Sequence, residues 1–323
     1  MSKWSLSMAA ILASLVALPM VSGVAGELET VLILQPESSD AEMSVLGIRE
    51  EIGGELRVKV RVTHAKTTVR DLQRFVAETS PSVVVIHRSN ERLYRQFQLS
   101  RVGGKRLPAT IVMNGENTVR SAAELSNSTV LNYGVAGVTS LVNLRSILHQ
   151  PLKRVGVVYR AESKDYIQEQ KQLAAQEKIE LVAKVVDENA TDTELRDVLN
   201  GLLKEGGVDA LWVLNDDVLL SSNRVANSWL PVLRPNKKPV VVNSPTLVNA
   251  KLRFGTFGVF PDHVAVGAQV GNMVFELRDR DWRVEENSFE DALSVRKVLL
   301  MSLAKEQFAL RMDALAQLDQ VIQ

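Results

Sequence analysis

The chemistry this sequence offers sits in polar clusters, each at the end of an apolar, β-branched run. Gln35 and Glu37 close the first run, His87 and Arg88 another, and Asn114 a third. Further along come Tyr159 with Arg160, Asn215 with Asp216, and Asn243. Amides, carboxylates, guanidinium groups, one imidazole and one phenol suit recognition of a small polar molecule bearing both charges. No catalytic motif accompanies them. The chain has no G-x-x-x-x-G-K-[ST] loop, no strand-linked G-x-G-x-x-G and no G-x-S-x-G elbow. It has no cysteine, so thiolate nucleophiles and thiolate metal sites are excluded. His64, His87, His149 and His263 are widely separated and lack metal-ligand spacing; only His87 stands at a strand tip. Asp216 and Asp217 are adjacent, and neighbours at a strand end diverge, so they read as a helix cap plus one pocket residue rather than an acid–base pair. Ser, Asn and Asp at such tips also cap helices, which accounts for part of the pattern. Trp212 lies within an apolar run and reads as core.

The elements that must position these groups alternate. Runs at 31–35 (VLILQ), 56–63 (LRVKVRVT), 82–87 (SVVVIH) and 110–113 (TIVM) read as strands. Helical patterns fall at 39–52, 68–78 and 90–99. The rhythm then restarts. Strands are expected at 154–159 (RVGVVY), 180–186, 209–214 (DALWVL) and 239–243 (PVVVN), with helices at 165–178, 193–204 and 217–229. Near-continuous apolar strands separated by helices imply parallel sheets covered on both faces. Two such units of four strands each are expected. Past them, 254–260 reads as extended, 262–278 as a helix, 293–300 as a strand and 302–322 as a closing amphipathic helix. In open parallel sheets, ligands bind beyond the carboxyl ends of the strands, where the polar clusters fall. Helix starts facing one another across a cleft would add free N–H groups for an anionic ligand group.

Composition narrows the class. The 323 residues are 46% hydrophobic, 24% charged and 5% aromatic, with 38 basic and 38 acidic side chains. A balanced charge and few aromatic rings argue against nucleic acid as a partner. The first 26 residues carry one charge, Lys3, followed by an apolar run from 8 to 21 and then small residues. That layout is expected of a cleaved secretory signal peptide; the run is shorter than the roughly 20 apolar residues of a membrane-spanning helix. No cysteine stands at the cleavage region to carry a lipid, so the expected location is the periplasm, unlipidated.

The segment 137–159 resembles the hinge-and-restart segment of the periplasmic substrate-binding proteins of ABC transporters. More narrowly it is similar to the branch described as an uncharacterised transport system's periplasmic component. That branch's G-V-T-s-L-x-n-L helix and k-R-V-G-V-l-Y strand stand here as GVTSLVNL and KRVGVVY. DALWVLNDD from Asp209, the Lys238-Pro239-Val240-Val241 strand start, and Phe260-Pro261-Asp262 with Gly267 and Gln269 follow in the family's order. Differences fall at strand tips: Asn114-Gly115-Glu116-Asn117, Tyr159 through Asp165, and Lys251.

The resemblance implies an α/β, two-lobed, type I periplasmic-binding-protein-like fold, each lobe a parallel sheet flanked by helices, joined by a multi-crossing hinge. Its expected parts are a signal peptide at 1–26, a first lobe at 27–135, a second at 136–255, a return to the first at 256–280, and a terminal strand and helix of the second lobe at 281–323. The implied function is a non-enzymatic solute receptor, without cofactor or metal, that closes on a small polar, amino-acid-like ligand. Its membrane partner would be the permease of an ABC importer. A membrane sensor as partner is the alternative; a two-domain α/β enzyme is a remoter one.

Overall fold

The structure is a computed structural model describing residues 28–101, 106–115, 124–284 and 289–323. The expected signal peptide, with Glu116 and Asn117, lies outside the described residues. Among the described residues no helix is long and apolar enough to cross a membrane.

The β-branched runs become strands: β1 (Thr30–Pro36), β2 (Arg57–Thr63), β3 (Val83–His87), β4 (Ala109–Asn114) and β5 (Ser128–Asn132). Between them run α1 (Ser39–Ile52), α2 (Val69–Thr79) and α3 (Glu91–Ser100). The local chemistry explains the boundaries. Ser38 accepts the Ala41 N–H at the start of α1, and Gly53 ends it in the left-handed conformation. Thr68 and Asp71 form a reciprocal capping box on α2. Strand alternation then sorts the core. Val31 and Ile33 face α1, while Leu32 and Leu34 face α2 and α3.

The second half begins with α4 (Gly137–Ile147), β6 (Arg154–Tyr159), α5 (Lys164–Gln176), β7 (Glu180–Val185), α6 (Asp192–Asn200) and β8 (Ala210–Val213). A helix follows in pieces, α7 (Ser222–Arg224), a wider turn at Val225–Trp229 and α8 (Leu230–Asn236), then β9 (Val240–Val242) and β10 (Phe257–Pro261). The chain ends with α9 (His263–Asp279), β11 (Phe289–Asp291), β12 (Val295–Leu300), α10 (Met301–Gln307) and β13 (Gln320–Ile322).

Two sheets result, of order β11-β5-β4-β3-β1-β2 and β13-β12-β10-β9-β8-β6-β7. Pairing is parallel except between β10 and β12. The sheets therefore hold six and seven strands rather than four each. The sequence reading missed β5 because STVLN has little apolar content, and β11 and β13 because three residues pair at a sheet edge without a pattern of their own.

Two expected boundaries move. The return to the first lobe, expected at 256, comes later: β10 stays in the second sheet between β9 and β12, and the chain leaves only after Pro261. The last crossing, expected near 281, also comes later: β11 pairs with β5 in the first sheet, and β12 rejoins the second. The closing helix expected over 302–322 is replaced by α10, a 3₁₀ turn at Met312–Gln317 and β13. Its middle is pulled straight by tertiary partners: Leu310 bridges to Leu148, and the Arg311 N–H bonds the Ile147 carbonyl. The helix expected from 217 starts at Ser222, because the Asp216 carboxylate takes the Val218 and Leu219 N–H groups into a turn.

On the first lobe, α9 lies along α1. A Cβ on Gly267 would fall 2.0 Å from the Ser44 carbonyl oxygen, and one on Gly47 1.9 Å from that of Val264. The two backbones touch there, and only glycine permits it. This brings the first turns of both helices to the same end of the sheet.

Candidate functional site

A cavity of about 750 Å³ lies between the two lobes at the carboxyl ends of their parallel strands. That is within the range of roughly 300–1,000 Å³ usual for small-molecule sites. The first lobe contributes His87 at the end of β3 and Arg88 after it, Tyr133 after β5, and the opening turns of α1 and α9. The second contributes Asn215 after β8, Asn243 to Pro245 after β9, the end of β10, and side chains of β12 and β13. Met43, Met113, Phe260, Val248 and Val298 supply apolar wall.

Of the residues singled out in the sequence, His87, Arg88, Asn215 and Asn243 line this cavity. His87 is 8% exposed, and burial, with His263 nearby as the lesser cause, lowers its pKa from 6.5 to about 4. The ring is therefore neutral at pH 7. Arg88 is held by Glu91, Nε to Oε2 at 2.9 Å, at the start of α3. Asn243 accepts from Trp212 Nε1 at 3.0 Å and donates to Ser140 Oγ at 3.0 Å and the Val259 carbonyl at 3.2 Å. It ties β8, α4 and β10 together while facing the cavity. Trp212 is core, as its setting in the sequence suggested. Asn215 is exposed at the β8 tip.

The other six are placed elsewhere. Gln35 is buried; Leu34 pairs with Ile86, so Gln35 and His87 follow side by side at the strand ends. Its Oε1 finds no hydrogen-bond partner among the described residues. Glu37 is exposed, 3.7 Å from His64 Nδ1. Asn114 is buried and donates to Asn132 Oδ1 at 2.9 Å, stitching β4 to β5. Tyr159 packs its ring against the second lobe's core. Arg160 and Asp216 are spent on each other: Arg160 Nε lies 2.8 and 3.1 Å from the two carboxylate oxygens, with side-chain exposures of 13% and 5%. Glu162 and Glu188 complete the cluster. Asp216 also holds its turn, so the pair braces the tips of β6 and β8. Asp216, expected in the pocket, does not line the cavity; it holds a turn ahead of α7, whose N-cap is Ser221.

The structure adds residues that reading strand tips did not find. Tyr133 follows the unrecognised β5, and its ring lies so close over Gly115 that a Cβ there would be 2.4 Å from it. His263 opens α9, edge-on to the Tyr133 ring at 5.8 Å between centroids, with Nε2 3.5 Å from Asp40 Oδ2. Phe260 to His263 form a strand tip and helix start, so the same rule applied to a correctly placed β10 would have found them. Arg296 and Gln320 sit on β12 and β13 at the other edge, where tip reasoning has no hold. Among the described residues no group of three or more His, Cys, Asp or Glu is placed to hold a metal ion.

No protein-family model and no curated protein matches the sequence. Solved structures do match across nearly its whole length. A ligand-free, open substrate-binding protein with adhesive properties from Clostridium difficile has a TM-score of 0.66 at 14% identity, covering 91% of this chain and 99% of that one. An ABC domain in complex with L-Trp from Streptococcus pneumonia has a TM-score of 0.52 at 17% identity, covering 90% and 100%. A periplasmic ribose ABC transporter structure from Conexibacter woesei has a TM-score of 0.52 at 11% identity, covering 85% and 93%. At these identities the likeness establishes fold. The chain has a type I periplasmic-binding-protein-like fold: two mainly parallel sheets, flanked by helices, with the cavity between them.

Proposed function

We propose that this is an exported solute-binding protein that closes its lobes on a small polar, amino-acid-like molecule. It delivers that molecule to the permease of an ABC importer and performs no chemical step. The observation that carries the reading is the cavity itself, walled by His87 and Arg88 from one lobe and by Asn215, Asn243 and Phe260 from the other. The signal-like first 26 residues support export. The names of the structural neighbours, a substrate-binding protein, an L-Trp complex and a ribose transporter component, support a solute as ligand.

The physics is a population shift. A ligand touching both walls makes its full set of contacts only when the lobes are closed, so it favours closure by its differential affinity for that state. A micromolar site corresponds to about 8 kcal/mol. The test is a thermal-shift screen of the mature protein against amino acids, sugars and small organic acids. A stabilising solute is expected, and the double variant Arg88→Ala, Asn215→Ala is expected to lose that stabilisation while retaining its circular dichroism spectrum. Stabilisation unchanged in the double variant refutes the assigned site.

A further inference from the structure

We infer that the ligand is anchored by a carboxylate seated against His87 where α1 and α9 begin, and that its binding draws a proton from solvent onto the imidazole. This rests on the solute-binding reading above and names the chemical class of its ligand.

The first observation is His87 itself. It is 8% exposed and lines the cavity, and its ring makes no hydrogen bond to any described residue. Its ring nitrogens are not sealed off among the described residues, so a hydrogen-bond partner can reach them from the cavity. The second is what surrounds it. α1 and α9, of 14 and 17 residues, begin at this end of the sheet, and Asp40, Ala41, His263 and Val264 of their first turns line the cavity. Helix N-termini carry partial positive charge and free N–H groups, and two side by side reinforce one another. The caps are partly spent: Ser38 takes the Ala41 N–H and Asp262 takes that of Ala265.

The same surroundings decide the sign of the charge sought. A buried ring beside His263 resists protonation, and the neutral ring keeps one N–H to donate. An anion is favoured by that donor and by both helices. Once seated, it reverses the local potential, so the imidazole takes up a proton from solvent and no covalent bond of the ligand changes. The charged and titratable groups around the ring are Asp40 on α1, Asp262 and His263 on α9, Arg88 after β3 and Tyr133 after β5. Asp40 faces His263 and Asp262 caps α9, so neither acid sits against His87 as a counter-charge. Across the cavity, Arg296 of β12 has no ion pair among the described residues and supplies a second cation. The Met43, Met113 and Phe260 walls suit a carboxylate with an apolar body.

The test uses matched pairs: L-amino acids and their C-terminal amides, with D-ribose as a neutral solute, in thermal-shift assays of the mature protein. The acids are expected to stabilise and the amides to do so at least tenfold less potently. For the best acid, calorimetry at pH 7.5 and 5.0, in two buffers of different ionisation enthalpy, is expected to show severalfold tighter binding at the lower pH with proton uptake. His87→Gln is expected to abolish that pH dependence, and Arg296→Gln to weaken binding severalfold without altering it. If amides or ribose bind as well as the acids, the carboxylate inference falls while the solute-binding reading stands. If the acids bind with the same affinity at both pH values, the proton linkage falls. If no solute stabilises the protein, both readings fall together.

Discussion

His87 should make the empty protein sensitive to acid by an amount that can be worked out. Its pKa is held at about 4 in the folded state against an ordinary value of 6.5, chiefly by burial. The unfolded chain therefore protonates this ring first as pH falls. The stability contributed by the neutral, buried ring is complete above pH 6.5 and drains away between there and pH 4. At about 1.4 kcal/mol per pKa unit, the loss is about 3 kcal/mol. Carboxylates elsewhere also titrate in this window, but they are common to the wild type and to His87→Gln, whose side chain stays neutral throughout. Urea unfolding of both, followed by circular dichroism at pH 7.5, 6.5, 5.5 and 4.5, isolates the term. The variant is expected to lose less stability across the series, with the gap growing towards about 3 kcal/mol at the acid end. Parallel stability–pH curves would mean that the ring is not held neutral by the fold, and the reasoning about its environment would be refuted.

Three further outcomes are expected. Arg160→Ala leaves the nearly buried Asp216 carboxylate with only its turn N–H groups; a loss of about 2–4 kcal/mol in chemical denaturation is expected, with ligand affinity unchanged because neither residue lines the cavity. Gly267→Val forces a side chain into the Ser44 carbonyl and should cost about 3 kcal/mol or more by separating α1 from α9; a melting temperature within a degree of wild type would contradict the contact. Asn243→Leu strands the Trp212 Nε1–H and the Ser140 hydroxyl, so a loss of about 1–3 kcal/mol and a shift in tryptophan emission are expected.

The repeat of strand and helix was legible because its strands are buried on both faces and so read as unbroken apolar runs, as in VVVIH and DALWVL. Elements created by pairing were not. β11 and β13 exist because a neighbouring strand offers an edge, and the segment around Leu310 is extended because Leu148 holds it. For the site, the strand-tip rule placed His87, Arg88, Asn215 and Asn243 on the cavity wall but treated every tip alike. It had no means of telling that Arg160 meets Asp216 or that Asn114 meets Asn132, since both pairings cross between strands. His263 looked remote from His87 because 175 residues separate them; only the return of α9 onto α1 makes them neighbours.

That return sets the timetable of folding. The Gly47 face of α1 waits for residues 263–279, and the second sheet lacks β12 and β13 until residues 295–322 have been made. Neither half can be completed as an uninterrupted stretch of chain. A ribosome paying out this polypeptide from its amino end would release two unfinished halves until residues 289–322 had followed, and would then let both close within moments of each other.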